Sequence, residues 1–168
     1  MSLEFRIEQS KEFRVVGVRI STTIENNNCR TEVPALWGEV IQHGKINDIM
    51  ALSNQKPSGI IGISSYNTDP LDAKKFDYYI AAAADQPVPE GMVEFMVPAA
   101  TWAIFPCKRT EIAEIEIRIV SEWQPSSGYE LVNSGYATGE MKSQAPDMEV
   151  HSLDDTSEVW IAVQKKEI

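Results

Sequence analysis

The alternation of apolar and polar positions divides the chain into strand-like and helix-like segments. Phe13 to Ile20 is rich in β-branched residues and predicts a strand. The asparagine-rich run from Ser21 to Arg30 predicts a loop. Thr31 is placed to cap a helix whose first turn holds Pro34, where a missing N–H costs little. Val33, Leu36, Trp37, Val40 and Ile41 then share one helical face, and the helix fades near Gly44 or runs irregularly to Leu52. Lys56-Pro57-Ser58-Gly59 predicts a turn. Ile60 to Ser65 and Phe76 to Ala84 predict two strands, punctuated by Thr68-Asp69-Pro70.

The turn-like run Gln86 to Gly91 marks the midpoint. Met92 to Val97 and Thr101 to Cys107 predict strands joined at Pro98. Glu111 to Trp123 admits two readings. Glu114 to Ile119 alternates like a strand, whereas Ile112, Ile115, Ile119 and Trp123 form a helical stripe behind a Thr110 cap. The length of the run and its Glu, Ala and Arg content favour a helix, which Gln124 to Gly128 would end. Tyr129 to Val132, Met148 to Ser152 and Glu158 to Gln164 are the remaining strand candidates, and Gly135 to Gln144 is a polar loop.

Each half therefore reads strand, helix, strand, strand. Phe13 to Ile20 corresponds to Thr101 to Cys107, the Trp37 helix to the Trp123 helix, and Asp77 to Ala81 to Glu158 to Ala162. The fold class expected is α+β, with two pseudo-symmetric repeats (about 5–90 and 91–168) in one domain, antiparallel sheets, and a groove between the halves as the natural pocket.

Composition narrows the function classes. The chain has 168 residues, is 43% hydrophobic and carries a formal net charge of −10. That charge argues against direct nucleic-acid binding and favours the approach of cations. Two cysteines and two histidines, without a Cys-x-x-Cys pair, suggest neither a disulfide framework nor a zinc site. Cys107 reads as a semi-buried, inert thiol more readily than as a reactive one. The charged start and the lack of any long apolar run point to a cytoplasmic protein without membrane contact. Gly59-Ile60-Ile61-Gly62 lacks the spacing and the Lys of a phosphate cradle, and no Gly-x-Ser-x-Gly elbow occurs. No cofactor and no metal are expected, and His43 reads as a surface helix residue.

Glu149 and Glu158 both alternate with apolar neighbours, so each faces either water or the interior. His151 shares a strand face with Glu149, and a solvated pair is one reading of the two. An inward carboxylate would need a positive partner, which a ligand could supply. Aromatic faces attract cations, and a desolvated contact contributes about 2 kcal/mol. The chain offers Trp37, Tyr66, Tyr78, Tyr79, Trp102, Phe105, Trp123 and Trp160 for this purpose, although most aromatics in any domain simply fill its core.

Several segments, taken in order, resemble one family. They are Arg14-Val15-Val16-Gly17, Val33-Pro34-Ala35-Leu36-Trp37, Phe76-Asp77-Tyr78, Val97 to Phe105, Trp123-Gln124-Pro125-Ser126-Ser127-Gly128-Tyr129-Glu130, Glu149-x-His151 and Glu158-Val159-Trp160-Ile161. Together they are similar to the GyrI-like, AraC-type effector-binding domain of bacterial transcription regulators, over about residues 5 to 166. The resemblance implies two strand–helix–strand–strand repeats around a hydrophobic pocket. It makes Glu149 the pocket carboxylate that meets cationic drugs, and Glu158 a strand-edge residue. His151 stands where the family has Tyr, and Ala162 where it has Pro. A protonated His151 would weaken the attraction of Glu149 for cations.

The function expected is a stand-alone binder of lipophilic, cationic aromatic molecules. Glu149 is its charge partner, with His151 beside it, and Trp37, Tyr79, Trp102, Phe105 and Trp160 are its walls. A separate DNA-binding or regulatory protein would link it to transcription. Two alternatives stay open, a hydrolase using Glu149 as general base and a gyrase-inhibitor-like interaction module.

Overall fold

A computed structural model describes residues 2–66, 71–133, 143–152 and 154–167. The Thr68-Asp69-Pro70 junction and most of the predicted 135–144 loop lie outside them. Among the described residues, nine strands form one antiparallel assembly. They are β1 (Arg6–Ser10), β2 (Phe13–Thr23), β3 (Ile60–Ser65), β4 (Lys75–Ala83), β5 (Val93–Val97), β6 (Ala100–Lys108), β7 (Tyr129–Leu131), β8 (Asp147–His151) and β9 (Thr156–Lys165). The sheet runs β1-β6-β9-β8-β3-β4-β2-β5, with β7 attached to the far end of β9. That order is symmetric about the β8–β3 seam. Each half contributes its first strand to the other, because β1 pairs with β6 and β5 pairs with β2.

The alternation predicted for β2, β3, β4, β6, β8 and β9 sorts their side chains onto two faces. On one face Val15, Ile61, Ile63, Tyr79, Val97, Trp102, Ile104, Met148, Val150 and Trp160 form a single buried cluster. Residues from both ends of the sheet meet there, so the sheet curls around this core. Helices cover parts of the other face. α1 (Cys29–Gln42) and α2 (Lys45–Leu52) lay Leu36, Val40 and Ile49 on Ile60, Phe76, Tyr78, Ile80 and Ala82. α3 (Ile112–Arg118) runs into a π-helical turn, Ile119–Trp123, which packs Ile119 and Trp123 on Ala103, Phe105, Val159 and Val163. Each such fully buried aliphatic side chain contributes about 1.5–3 kcal/mol.

Four differences from the sequence reading have local causes. The α1 helix starts at Cys29, so Pro34 lies inside it and the ladder is one hydrogen bond short at the Arg30 carbonyl. Gly44 takes a left-handed conformation (φ 72°) that separates α1 from α2 instead of letting one helix fade. The helix after Thr110 forms, but it continues past Trp123 through a short turn at Gln124–Ser126. Finally, β1 went unpredicted, since only Ile7 is apolar between Arg6 and Ser10. Its polar composition suits an edge strand, where charge discourages pairing with other chains.

Candidate functional site

The helices leave the β3–β8 seam uncovered, and a cleft opens there between α1–α2 on one side and α3 on the other. Its floor is set by strand register. Gly62 of β3 lies opposite Glu149 of β8, Ser64 opposite Asp147, and Val159 of β9 on the other flank of Glu149. Asp147, Glu149 and His151 alternate along β8 and therefore point into the same cleft. An outer chamber of about 650 Å3 is lined by Trp37, Ile41, Ile46, Met50, Ile60, Ile112 and Ala113 around Glu116, Glu149 and His151. A deeper chamber of about 230 Å3 is more polar. Ser64, Tyr66, Tyr78, Asn133 and Asp147 contribute to it, together with the same two glutamates.

Helical spacing explains both walls. On α1, Leu36 and Val40 face the core while Trp37 and Ile41 face the cleft. On α3 and its π turn, Ile119 and Trp123 are buried while Ile112, Glu116 and Val120, four residues apart, line the cleft. Trp37 is fixed by donating its indole N–H to the Tyr78 hydroxyl at 2.9 Å. It meets the His151 ring edge-on, with centroids 5.4 Å apart. A side chain at Gly62 would overlap the Tyr78 hydroxyl, so glycine there keeps this arrangement possible.

Nδ1 of His151 hydrogen-bonds Ser157 Oγ at 2.8 Å. Its Nε2 lies 3.7 Å from Glu149 Oε2, too far for a direct hydrogen bond. Arg109, at the mouth, donates to the Ser152 and Asp154 carbonyls at 3.2 and 3.4 Å.

The carboxyls do not behave as surface groups. Glu116 is exposed on its helix, yet its carboxyl sits where the two chambers join. Loss of hydration there, the charge of Glu149, hydrogen bonding to Glu149 and the charge of Asp147 all move its pKa upward. Asp147 is pushed up to about 7, chiefly by burial, against a hydrogen bond from Tyr66 that favours its ionised form. Cys107 is also raised, to about 11, by burial first and then by Glu111, Glu149, Glu116 and Glu158, which disfavours its thiolate at neutral pH. Among the described residues, no group of three or more His, Cys, Asp or Glu side chains is arranged to hold a metal ion.

Of the residues singled out from sequence, the fold brings Glu149, His151 and Trp37 together in the cleft. Phe105 shares their side of the sheet but is fully buried against Phe5 and Trp123. Tyr79, Trp102 and Trp160 stand on the opposite face, inside the helix-free core. None of these four lines the cleft. Trp160 pairs with Met148 and not with Glu149, so its ring leaves the sheet on the other side. Glu158 is not at a sheet edge either, because β9 runs between β6 and β8. It is held by Arg6 at 2.7 Å and by the Trp160 indole at 3.1 Å. The sequence reading missed Glu116, Asp147 and Asn133 as site residues, and placed Tyr66 and Tyr78 only in the general aromatic pool. For Asp147 a signal existed, since it alternates with Glu149.

A curled antiparallel sheet with a helix-walled, acid-floored cleft at its symmetry seam defines an effector-binding fold. The chain belongs to the Cass2 family of integron-associated effector-binding proteins, whose model matches residues 6–163. No curated protein sequence matches the chain. Among solved structures, SAV2435 bound to tetraphenylphosphonium is similar at 16% identity, with a TM-score of 0.77 over 96% of this chain and 94% of that one. A putative bacterial transcription regulation protein from Staphylococcus aureus MU50 has 16% identity and a TM-score of 0.73, over 97% and 99% of the two chains. The integron cassette protein VCH_CASS2 from the mobile metagenome of Vibrio cholerae has 18% identity and a TM-score of 0.61, over 95% of each. At these identities the likeness establishes the shared fold. No helix among the described residues is long and apolar enough to cross a membrane.

Proposed function

We propose that this effector-binding protein takes up a lipophilic organic cation in the cleft, with Glu149 as its charge partner. The observation that carries the reading is the position of Glu149. It stands where an apolar outer chamber and an acidic inner one meet, beneath the Trp37 ring. The apolar walls favour a bulky hydrophobic body, and the carboxylate favours its positive centre. The net charge of −10 steers cations toward the protein. The same ligand class occupies the similarly folded SAV2435. A link to transcription is supported by the likeness to the Staphylococcus aureus regulator, and we place the binder in the cytoplasm.

Titration with tetraphenylphosphonium, followed by Trp fluorescence and calorimetry, tests the reading. Glu149→Gln removes the charge and keeps the shape, so affinity should fall roughly 10- to 100-fold, as expected for about 1.4–2.7 kcal/mol of charge-dependent attraction. Neutral triphenylphosphine oxide should bind both proteins alike. Equal tetraphenylphosphonium affinity in the two proteins would refute the role of Glu149.

A further inference from the structure

Glu116 is a second carboxyl at the same point of the cleft, contributed by a different element and lining both chambers together with Glu149. Two like charges facing the same cleft repel each other, so ionising both costs more than ionising one. We infer that Glu116 and Glu149 hold one proton between them in the ligand-free protein, and that an incoming cation displaces it, so that each cation bound releases one proton to solvent. The exchange rests on the cation reading of this cleft and supplies its regulation by pH.

Charge balance favours the exchange. With one proton the pair carries a net charge of −1. A monovalent cation against two ionised carboxylates also leaves −1, so the cleft keeps its charge while a hydrated proton leaves. Nearby groups allow the pair to be the source. On β8, Asp147 adds negative charge from the inner side and His151 adjoins Glu149 from the outer side. From the strands beneath come the Tyr66 and Tyr78 hydroxyls and the Cys107 thiol, and beyond β7 the Asn133 amide. At the start of α3 stand Arg109, which is occupied by two carbonyls, and Glu111, which acts on Cys107. The α1–α2 wall brings only Trp37, Ile41, Ile46 and Met50, with no ionisable group. Among the described residues, no lysine lines either chamber to neutralise the pair. The upward displacement of the Glu116 pKa agrees with a retained proton.

The consequence is a pH-dependent affinity. Wherever the pair is protonated before binding, affinity for a permanent cation rises up to about tenfold per pH unit. Tetraphenylphosphonium carries no proton of its own, so calorimetry in buffers of different ionisation enthalpy counts protons released by the protein. At pH 8 Asp147, which titrates near 7, is mostly ionised and contributes little. Wild type should release close to one proton per cation. Glu116→Gln should still bind the cation yet release close to none, whereas Asp147→Asn, which removes only the weakest of the influences raising Glu116, should keep most of the release. Triphenylphosphine oxide should release none. Cation binding without proton release in wild type would overturn the exchange and leave the cation site standing. Undiminished release from Glu116→Gln, or its loss from Asp147→Asn, would assign the proton elsewhere and overturn it as well. Failure of wild type to bind the cation at all would overturn the site and the exchange together.

Discussion

Asp147 offers a quantitative check on the electrostatics of the cleft, through stability and without any ligand. Burial raises its pKa from 3.8 to about 7, and the hydrogen bond from Tyr66 offsets only part of that. The sign follows from proton linkage. Between pH 4 and 7 the folded protein binds more protons at this site than the unfolded chain does, so stability falls as pH rises through that window. The contribution is fully present below about pH 4 and lost above about pH 7. A rise from 3.8 to about 7 corresponds to a ceiling of about 4 kcal/mol. Asp147 keeps some contact with solvent, and screening brings a realistic figure to roughly 2 kcal/mol. Asp147→Asn removes the charge and retains an acceptor for Tyr66. At pH 8 the variant should therefore be more stable than wild type by roughly 2 kcal/mol, or about 4–8 °C in melting temperature for a chain of this size. At pH 4 the two should melt together. Calorimetric or circular-dichroism melts at half-unit pH steps give the comparison. Parallel curves for the two proteins, with no gap opening between pH 4 and 7, would refute the buried-carboxyl account.

Three glycines give complementary tests by chemical denaturation. Gly38→Ala adds a methyl group on the exposed side of α1, where nothing lies within 4 Å, and should stabilise by about 0.5–1 kcal/mol. Gly17→Ala would drive its Cβ into the backbone of Ile80 and Ala81, and should cost about 3 kcal/mol or more, if folded protein is obtained at all. Gly62→Ala pushes the Tyr78 hydroxyl away from the Trp37 indole. It should cost roughly 1–3 kcal/mol and weaken tetraphenylphosphonium binding; unchanged affinity would show that the ligand does not sit on the cleft floor.

Much of the sheet is legible in the sequence because its strands alternate strongly and are bounded by Pro, Gly or Asn. Ile60–Ser65 appears where the pattern places it. Glu149 and Trp37 could likewise be picked out from local pattern and family likeness. The other walls could not. Whether Trp160 or Val159 shares a face with Glu149 depends on which residues of β8 and β9 stand opposite each other, and one residue of slip reverses the answer. Tyr79 and Tyr78 differ in the same way, one buried in the helix-free core and the other in the cleft floor. Glu116 escaped notice for a different reason. Next to the stripe of Ile112, Ile115, Ile119 and Trp123 it reads as an ordinary solvated helix position, and only the docking of α3 beside the seam turns it inward.

The exchange of first strands between the halves has a bearing on synthesis in the cell. Arg6 finds its partner at Ile104, and β5 completes the sheet of the first half only after the midpoint has been made. Neither half-sheet can be finished by a nascent chain that stops at the Gln86–Gly91 junction. Contacts of such long sequence separation form slowly, and the unpaired edges stay open until they do. The cleft floor joins β3 to β8, so it too is a late product. A chain emerging from the ribosome would acquire its cleft in the same step that closes its sheet.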